Sequence, residues 1–188
     1  MEPSSGRTKR PRARGKKKGQ TPEQSREEQA LGISRGGLST KIHLLVDGNG
    51  LPLSFTLTPG QSSEATQVEK VLAQVSVGGK RGPRKRRLRV VAGDKGYDGK
   101  KTLDRFRAAG TKPLVPQRLG RDGKYPEPDR AFDKKLYRRR NVVERRNGHL
   151  KEKRRIATRY EKLAVNFVAM IQLAFVLTFL KIVFSDRA

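Results

Sequence analysis

The order of apolar patterns along the chain predicts an α/β layer architecture, and three observations carry that expectation. Alternating apolar residues flank Gly48-Asn49-Gly50, a strong hairpin signal. Val68, Val71, Leu72 and Val75 then recur at helical spacing. A short apolar run at residues 88–93 follows, as a buried strand would. Completed along the chain, the pattern reads β-β-α-β-α-β-α-α.

The first strand covers residues 41–47 and the second 51–58, with Leu51, Leu53, Phe55 and Leu57 on one face. Pro59-Gly60 ends that pair. Ser62 or Ser63 is expected to cap a helix running to about Gln74. After residues 88–93, a helix over 100–109 turns Leu103 and Phe106 inward and stops at Gly110. Residues 112–116 form a short strand weakened by its prolines. Residues 117–131 read as a polar loop. One long helix is expected from about Asp133 to Ile156, and another from about Glu161 to Phe184.

The chain has 188 residues, 44 Lys+Arg against 18 Asp+Glu, and a formal net charge of +26. That excess points to a polyanion, with nucleic acid first. The absence of Cys excludes disulfide scaffolds, thiolate metal sites and a cysteine nucleophile. Residues 1–20 hold eight basic residues, one acid and little that could be buried, so they belong to a disordered basic arm over residues 1–30. Residues 80–89, with seven basic residues in ten, read as an exposed loop, and residues 134–155 add eleven more. Any one run could be a solvated face; three on a small chain favour phosphate contact. Residues 163–184 are long enough to span a bilayer, but Asn166, Gln172, Thr178 and Lys181 interrupt them. They read as a buried helix capping a sheet, and no membrane partner is expected.

Two places carry chemistry. Asp94 lies just past the short strand in Gly93-Asp94-Lys95-Gly96-Tyr97-Asp98, where open α/β sheets place functional groups. An Asp there is also a common helix cap, and Asp98 can cap the helix that follows. On the long helix Tyr137, Arg140, Glu144 and Lys151 fall within about 60° of one another at ~100° per residue. The bland alternative is an amphipathic helix with an ordinary Arg140–Glu144 pair.

These residues match the Y-x2-R-x3-E-x6-K signature at every spacing, and the chain here resembles the DDE-type transposases of bacterial insertion sequences. Residues 34–43 with Val46-Asp47-Gly48-Asn49-Gly50, then Thr58-Pro59-Gly60-Gln61, Asp94-Lys95-Gly96-Tyr97-Asp98 and the block at residues 140–145, are similar to successive landmarks of that family. The resemblance covers about residues 31–184. It implies a ribonuclease-H-like three-layer α/β fold over residues 31–188, DNA transposition by metal-dependent phosphodiester cleavage and strand transfer, and a bacterial, nucleoid-associated cytoplasmic protein. It implies Asp94 and Glu144 as the second and third catalytic, metal-holding acids, with Mg²⁺ or Mn²⁺. Arg140 and Lys151 would contact DNA phosphates, and Tyr137 the DNA beside the cut.

One departure stands out. The family carries its first catalytic Asp on a central strand upstream of residues 34–37, and no Asp precedes Asp47 here. Asp47 itself sits where Asp is favoured as a turn residue. The chain is therefore expected to be the C-terminal portion of a transposase, a truncated remnant or a frameshift-dependent fragment inactive alone. Its first central strand would be absent, and a homodimer or the upstream transposase segment is the expected protein partner. The competing reading is a non-enzymatic basic nucleic-acid-binding protein.

Overall fold

The computed structural model describes residues 21–34, 37–76, 88–127 and 130–185. Most of the N-terminal arm and the basic loop at residues 80–89 lie outside them. Residues 22–28, expected within the arm, form helix α1 (Pro22–Glu28). Thr21 and Gln24 build a capping box there, with Pro22 in the first turn.

Strands β1 (Gly32–Ser34), β2 (Gly37–Val46) and β3 (Pro52–Pro59) form an antiparallel sheet in that order. β1 pairs with Gly37 to Ser39, whereas β3 pairs with β2 from Thr40 to Val46. The β2–β3 turn is as the sequence predicts: Gly50 takes φ 84°, and Asp47 Oδ1 accepts the amides of Asn49 at 2.9 Å and Leu51 at 2.8 Å. Asp47 thus acts as a turn residue.

β3 does not have one wet face. Phe55 and Leu57 pack against a cluster of Leu150, Ile156, Phe167, Ile171, Ala174 and Phe175. The opposite face buries Ser54, whose hydroxyl donates to the Val71 carbonyl at 2.7 Å. The sheet is covered on both sides, so its two faces are not sorted into apolar and polar.

The first core helix is shorter than expected. A 3-10 turn (Ala65–Gln67) leads into α2 (Val68–Ala73), with no side-chain cap on either, so Ser62 and Ser63 do not serve. Val68, Val71 and Val75 are buried, as their spacing predicts. β4 (Val90–Ala92) and β5 (Lys112–Leu114) pair in parallel as a separate two-stranded sheet, joined by α3 (Lys100–Ala108). Leu103 and Phe106 are each 3% exposed and Gly110 ends the helix at φ 69°. Val68, Val91 and Phe106 make a second, smaller core.

The expected long helix is three pieces: α4 (Lys134–Arg138), α5 (Asn141–Lys151) and α6 (Arg154–Ala157). Asp133 caps α4 through the Leu136 amide at 2.9 Å. At the first break Arg139, Arg140, Val142 and Val143 donate three residues back rather than four, so the coil tightens. An Asn and two β-branched valines occupy that junction, which lowers helix propensity there. Lys153 is extended (ψ 101°) and makes the second break.

Helix α7 (Ala164–Ser185) buries Phe167, Ile171, Ala174 and Phe175 against β3. It is buried along one stripe only: Val176, Leu177, Phe179 and Leu180 are 42–51% exposed. Among the described residues it is the one helix long and apolar enough to cross a membrane, by length and composition.

Candidate active site

Asp94 leaves β4 with extended backbone, and its carboxylate accepts the Lys95 amide at 2.5 Å, opening the 3-10 turn Lys95–Tyr97. It is exposed. Asp98 does not cap α3, whose N-cap is Gly99. Instead its side chain, 5% exposed, accepts from Arg130 Nη2 at 2.7 Å and from the Arg118 amide at 2.5 Å. Arg118 Nε donates to the Lys95 carbonyl at 2.7 Å. Asp98 therefore ties the polar loop back onto the turn that presents Asp94, a positioning role that no local pattern signals.

Tyr97 adds another connection. Its pKa is pushed up to about 12 by burial, then by the nearby negative charges of Glu64 and Asp94. Glu64 also lies 3.5 Å from Lys41 Nζ. No local pattern marks Glu64; its partners reveal it.

Tyr137, Arg140 and Glu144 come together. Arg140 sits 5.6 Å from the Tyr137 ring centroid and pairs with Glu144 at 2.5 Å. Phe132 braces Tyr137, with ring centroids 5.0 Å apart. Glu144 has a 55% exposed side chain, and Arg140 a 25% exposed one. Lys151 is exposed at the end of α5. Around them Lys134, Lys135, Arg138, Arg139, Arg145, Lys153, Arg154 and Arg155 are also exposed, making a basic face.

Asp94 and Arg140, the partner of Glu144, line one cavity. This cavity of about 730 Å³ runs between β2 and β4, lined by residues 41–48 and 88–94 and by Arg139, Arg140 and Val143. Asp94 belongs to its Lys41 end, through Tyr97 and Glu64. Arg139 belongs to the other end: an added Cβ on Gly48 would come within 3.0 Å of its guanidinium. Oxygen donors such as these two carboxylates suit a hard divalent cation. Among the described residues no group of three or more His, Cys, Asp or Glu able to hold a metal exists.

With that geometry in view, comparison with known proteins decides the family. Residues 7–179 match the family described as the transposase DDE domain. The chain belongs to this family. It is 31% identical over 126 residues to a putative transposase for insertion sequence element IS402 of Burkholderia cepacia, a match covering 66% of this chain and 55% of that protein. It is 30% identical over 148 residues to a putative transposase for insertion sequence element IS6501 of Brucella ovis, covering 77% of this chain and all of that protein. The chain thus spans about half of the first relative and the full length of the second. No solved structure matches. The mixed α/β build with small sheets is consistent with a transposase DDE domain, and membership supports a role in DNA transposition.

Proposed function

We propose that this chain is the C-terminal portion of a ribonuclease-H-like transposase domain that binds insertion-sequence and target DNA on its basic face and takes part in strand cleavage and transfer. Asp94 and Glu144 are its second and third catalytic acids. The observation that carries the reading is the Tyr137–Arg140–Glu144 cluster. It sets a carboxylate beside a guanidinium suited to phosphate and an aromatic ring suited to a base, on a face rich in exposed cations. Lys151 extends the phosphate-binding line at the far end of α5.

Cleavage breaks a phosphodiester with water, and transfer uses the freed 3′-hydroxyl as the next nucleophile. Arg140 and Lys151 hold the phosphates so that the attacking and leaving oxygens lie in line. Asp94 and Glu144 are the groups able to hold Mg²⁺ or Mn²⁺ in this family. The site of action is DNA in the bacterial cytoplasm.

The test is nicking of supercoiled plasmid with Mn²⁺, using the chain alone and mixed with the upstream segment, beside Asp94→Asn and Glu144→Gln. Wild type should nick in the mixture and both variants should not. Equal nicking by all three proteins, or none by any, overturns the catalytic part. One observation favours a non-enzymatic DNA-binding protein instead: Glu144 is already neutralised by Arg140. Salt-sensitive binding with no nicking under any condition would establish that reading.

A further inference from the structure

We propose that residues 117–127 form a rigid finger that enters DNA beside Asp94 and holds an unpaired base against Tyr125. This rests on the DNA-binding part of the proposed function and not on its catalytic assignment. Residues 121–127 are all exposed, so the loop packs little on the core. Its backbone is nevertheless pinned at both ends. At the base the Gln117 side-chain amide donates to the Glu127 carbonyl at 2.5 Å, and the Glu127 amide donates back to Gln117 Oε1 at 3.0 Å. At the tip the Gly120 amide donates to the Lys124 carbonyl at 2.7 Å, Gly123 takes φ 73°, and Asp122 Oδ1 accepts the Lys124 amide at 3.1 Å. Ordering an exposed loop costs conformational entropy and gains a merely solvated face nothing. It does serve a binding element, because the ordering is complete before the ligand arrives.

The side chains at the tip give the finger its chemistry. Asp122 is used by the turn, which leaves Arg121 and Lys124 as exposed cations. Leu119 and Tyr125, the next residue on either leg from the Gly120–Lys124 bond, are 55% and 52% exposed. Either alone would be an ordinary exposed side chain. Together an aliphatic and an aromatic group flank the end of a thin projection, with two cations between them in the sequence. An apolar wedge opens a base step, an aromatic face takes the freed base, and cations hold the neighbouring phosphates. Two such side chains fall far short of the about 800 Å² that each side of a stable protein interface buries. A nucleic-acid strand is therefore the occupant that fits.

The root of the finger fixes where it acts. Arg118, between base and tip, sends its amide to Asp98 Oδ2 at 2.5 Å and its Nε to the Lys95 carbonyl at 2.7 Å. On the returning side Arg130 reaches the same Asp98 at 2.7 Å, and the Glu127 carboxylate lies 4.0 Å from Arg107 of α3. Lys95 directly follows Asp94, so the finger and the Asp94 carboxylate are carried by one turn. A base held by the finger lies beside Asp94, and the finger selects DNA already open at that point over intact duplex.

The test is fluorescence anisotropy of the full chain on a labelled duplex and on the same duplex carrying one unpaired thymine. Wild type should bind the bulged duplex about tenfold more tightly, the gain expected from one base stacked on one ring. Tyr125→Ala should remove that preference, leave Tm unchanged and alter binding to intact duplex by less than about twofold. Tyr125→Phe should keep the preference, because the ring and not the hydroxyl carries it. Gln117→Ala, which opens the base of the finger, should lose most of it although Tyr125 is still present. Arg121→Ala and Lys124→Ala should each reduce the slope of log Kobs against log salt on the bulged duplex by about 0.7–0.9. A preference that survives Tyr125→Ala, its loss in Tyr125→Phe, or a fall in Tm with Tyr125→Ala overturns the inference. Equal binding of both duplexes by wild type also overturns it and leaves the DNA-binding reading standing, whereas binding of neither overturns both. A preference for the bulged duplex without Mn²⁺-dependent nicking leaves the finger standing and counts against the catalytic reading alone.

Discussion

Arg159 joins three parts of the chain that are distant in sequence, and replacing it by Met tests whether that junction holds the larger core together. Its guanidinium donates to the carbonyls of Gln29 at 2.5 Å and Ala30 at 3.0 Å, and to the hydroxyl of Thr40. Its Nε donates to the Glu161 carbonyl at 3.3 Å, and the group stacks 4.9 Å from the Phe167 centroid. The residue adopts φ 50°, outside the usual region for a bulky side chain, so the surroundings over-determine it. Met keeps the stem and most of the volume but leaves four acceptors without their donor. A bond to a charged donor contributes about 1.5–3 kcal/mol where both groups are buried. Ala30 is 6% exposed and keeps that cost, whereas Gln29 and Glu161 are half-buried and recover part of it from water. With about 0.5–1 kcal/mol for the lost stacking, the loss comes to about 3–4 kcal/mol. In a domain of this size that lowers Tm by about 10 °C. Thermal unfolding followed by circular dichroism, with Arg159→Lys as comparison, measures it. Lys should recover less than half of the loss, because a point charge cannot serve several acceptors through a planar fork. A loss below about 1 kcal/mol for Met, within the range of ordinary surface substitutions, or full recovery with Lys, would refute the reasoning.

Three other outcomes follow from the same contacts. Glu144→Gln should leave Tm within about 1 °C, because an exposed i,i+4 pair contributes only a few tenths of a kcal/mol; a large drop in Tm would make Glu144 a structural residue. His43 is buried, with its Nε2 2.7 Å from Thr58 Oγ1, and its pKa is held below 6.5 mainly by burial, with Lys41 adding and Glu64 opposing. The unfolded chain therefore takes up the proton first as pH falls below 6.5, so stability is full above that pH and declines beneath it. Urea midpoints at pH 7 and pH 5.5 should show the decline in wild type and a smaller one in His43→Gln. Lys151→Ala should reduce the slope of log Kobs against log salt for duplex DNA by about 0.9, the signature of one lost phosphate contact, with Tm unchanged; an unchanged slope removes Lys151 from the DNA interface.

Local signals in the sequence mapped onto local structure. The Gly48-Asn49-Gly50 turn, the inward spacing of Val68, Val71 and Val75, and the Leu103–Phe106 face with Gly110 as stop all depend on residues within a turn or two of each other. What escaped depends on partners far along the chain. Asp98 looked like a cap because caps are local; its real partners are 20 and 32 residues away. Leu53, Phe55 and Leu57 suggested one buried face, but Ser54 and Thr58 are buried on the other because α2 covers it. The face shared by Tyr137, Arg140 and Glu144 survived the break in the helix. A tighter turn at residues 139–143 still leaves i,i+3 and i,i+4 neighbours together. Lys151 lies beyond that reach.

The net charge of +26 overstates how many cations face DNA, because several arginines are used inside the fold. Arg105 donates to the Ala65 carbonyl and pairs with Glu69 at 3.0 Å; Arg118 and Arg130 hold the turn after β4; Arg146 donates to the Gly50 carbonyl at 2.7 Å and to Thr178; Arg159 ties Gln29 and Ala30, just past α1, to Phe167 of α7. Each satisfies backbone carbonyls at a place where the small sheets supply few hydrogen bonds of their own, and a guanidinium does this well because its donors form a rigid fork. Arg145 and Arg146 are therefore neighbours with opposite duties: Arg145 is exposed on α5, and Arg146 is turned into the β2–β3 hairpin. Arg145→Ala should weaken DNA binding and reduce its salt slope while leaving Tm unchanged. Arg146→Ala should lower Tm by several degrees and keep the slope once the measurement is made below its melting point. If the two substitutions behaved alike in both assays, the division of the basic residues into fold-holding and phosphate-facing sets would fail at the pair where it is sharpest.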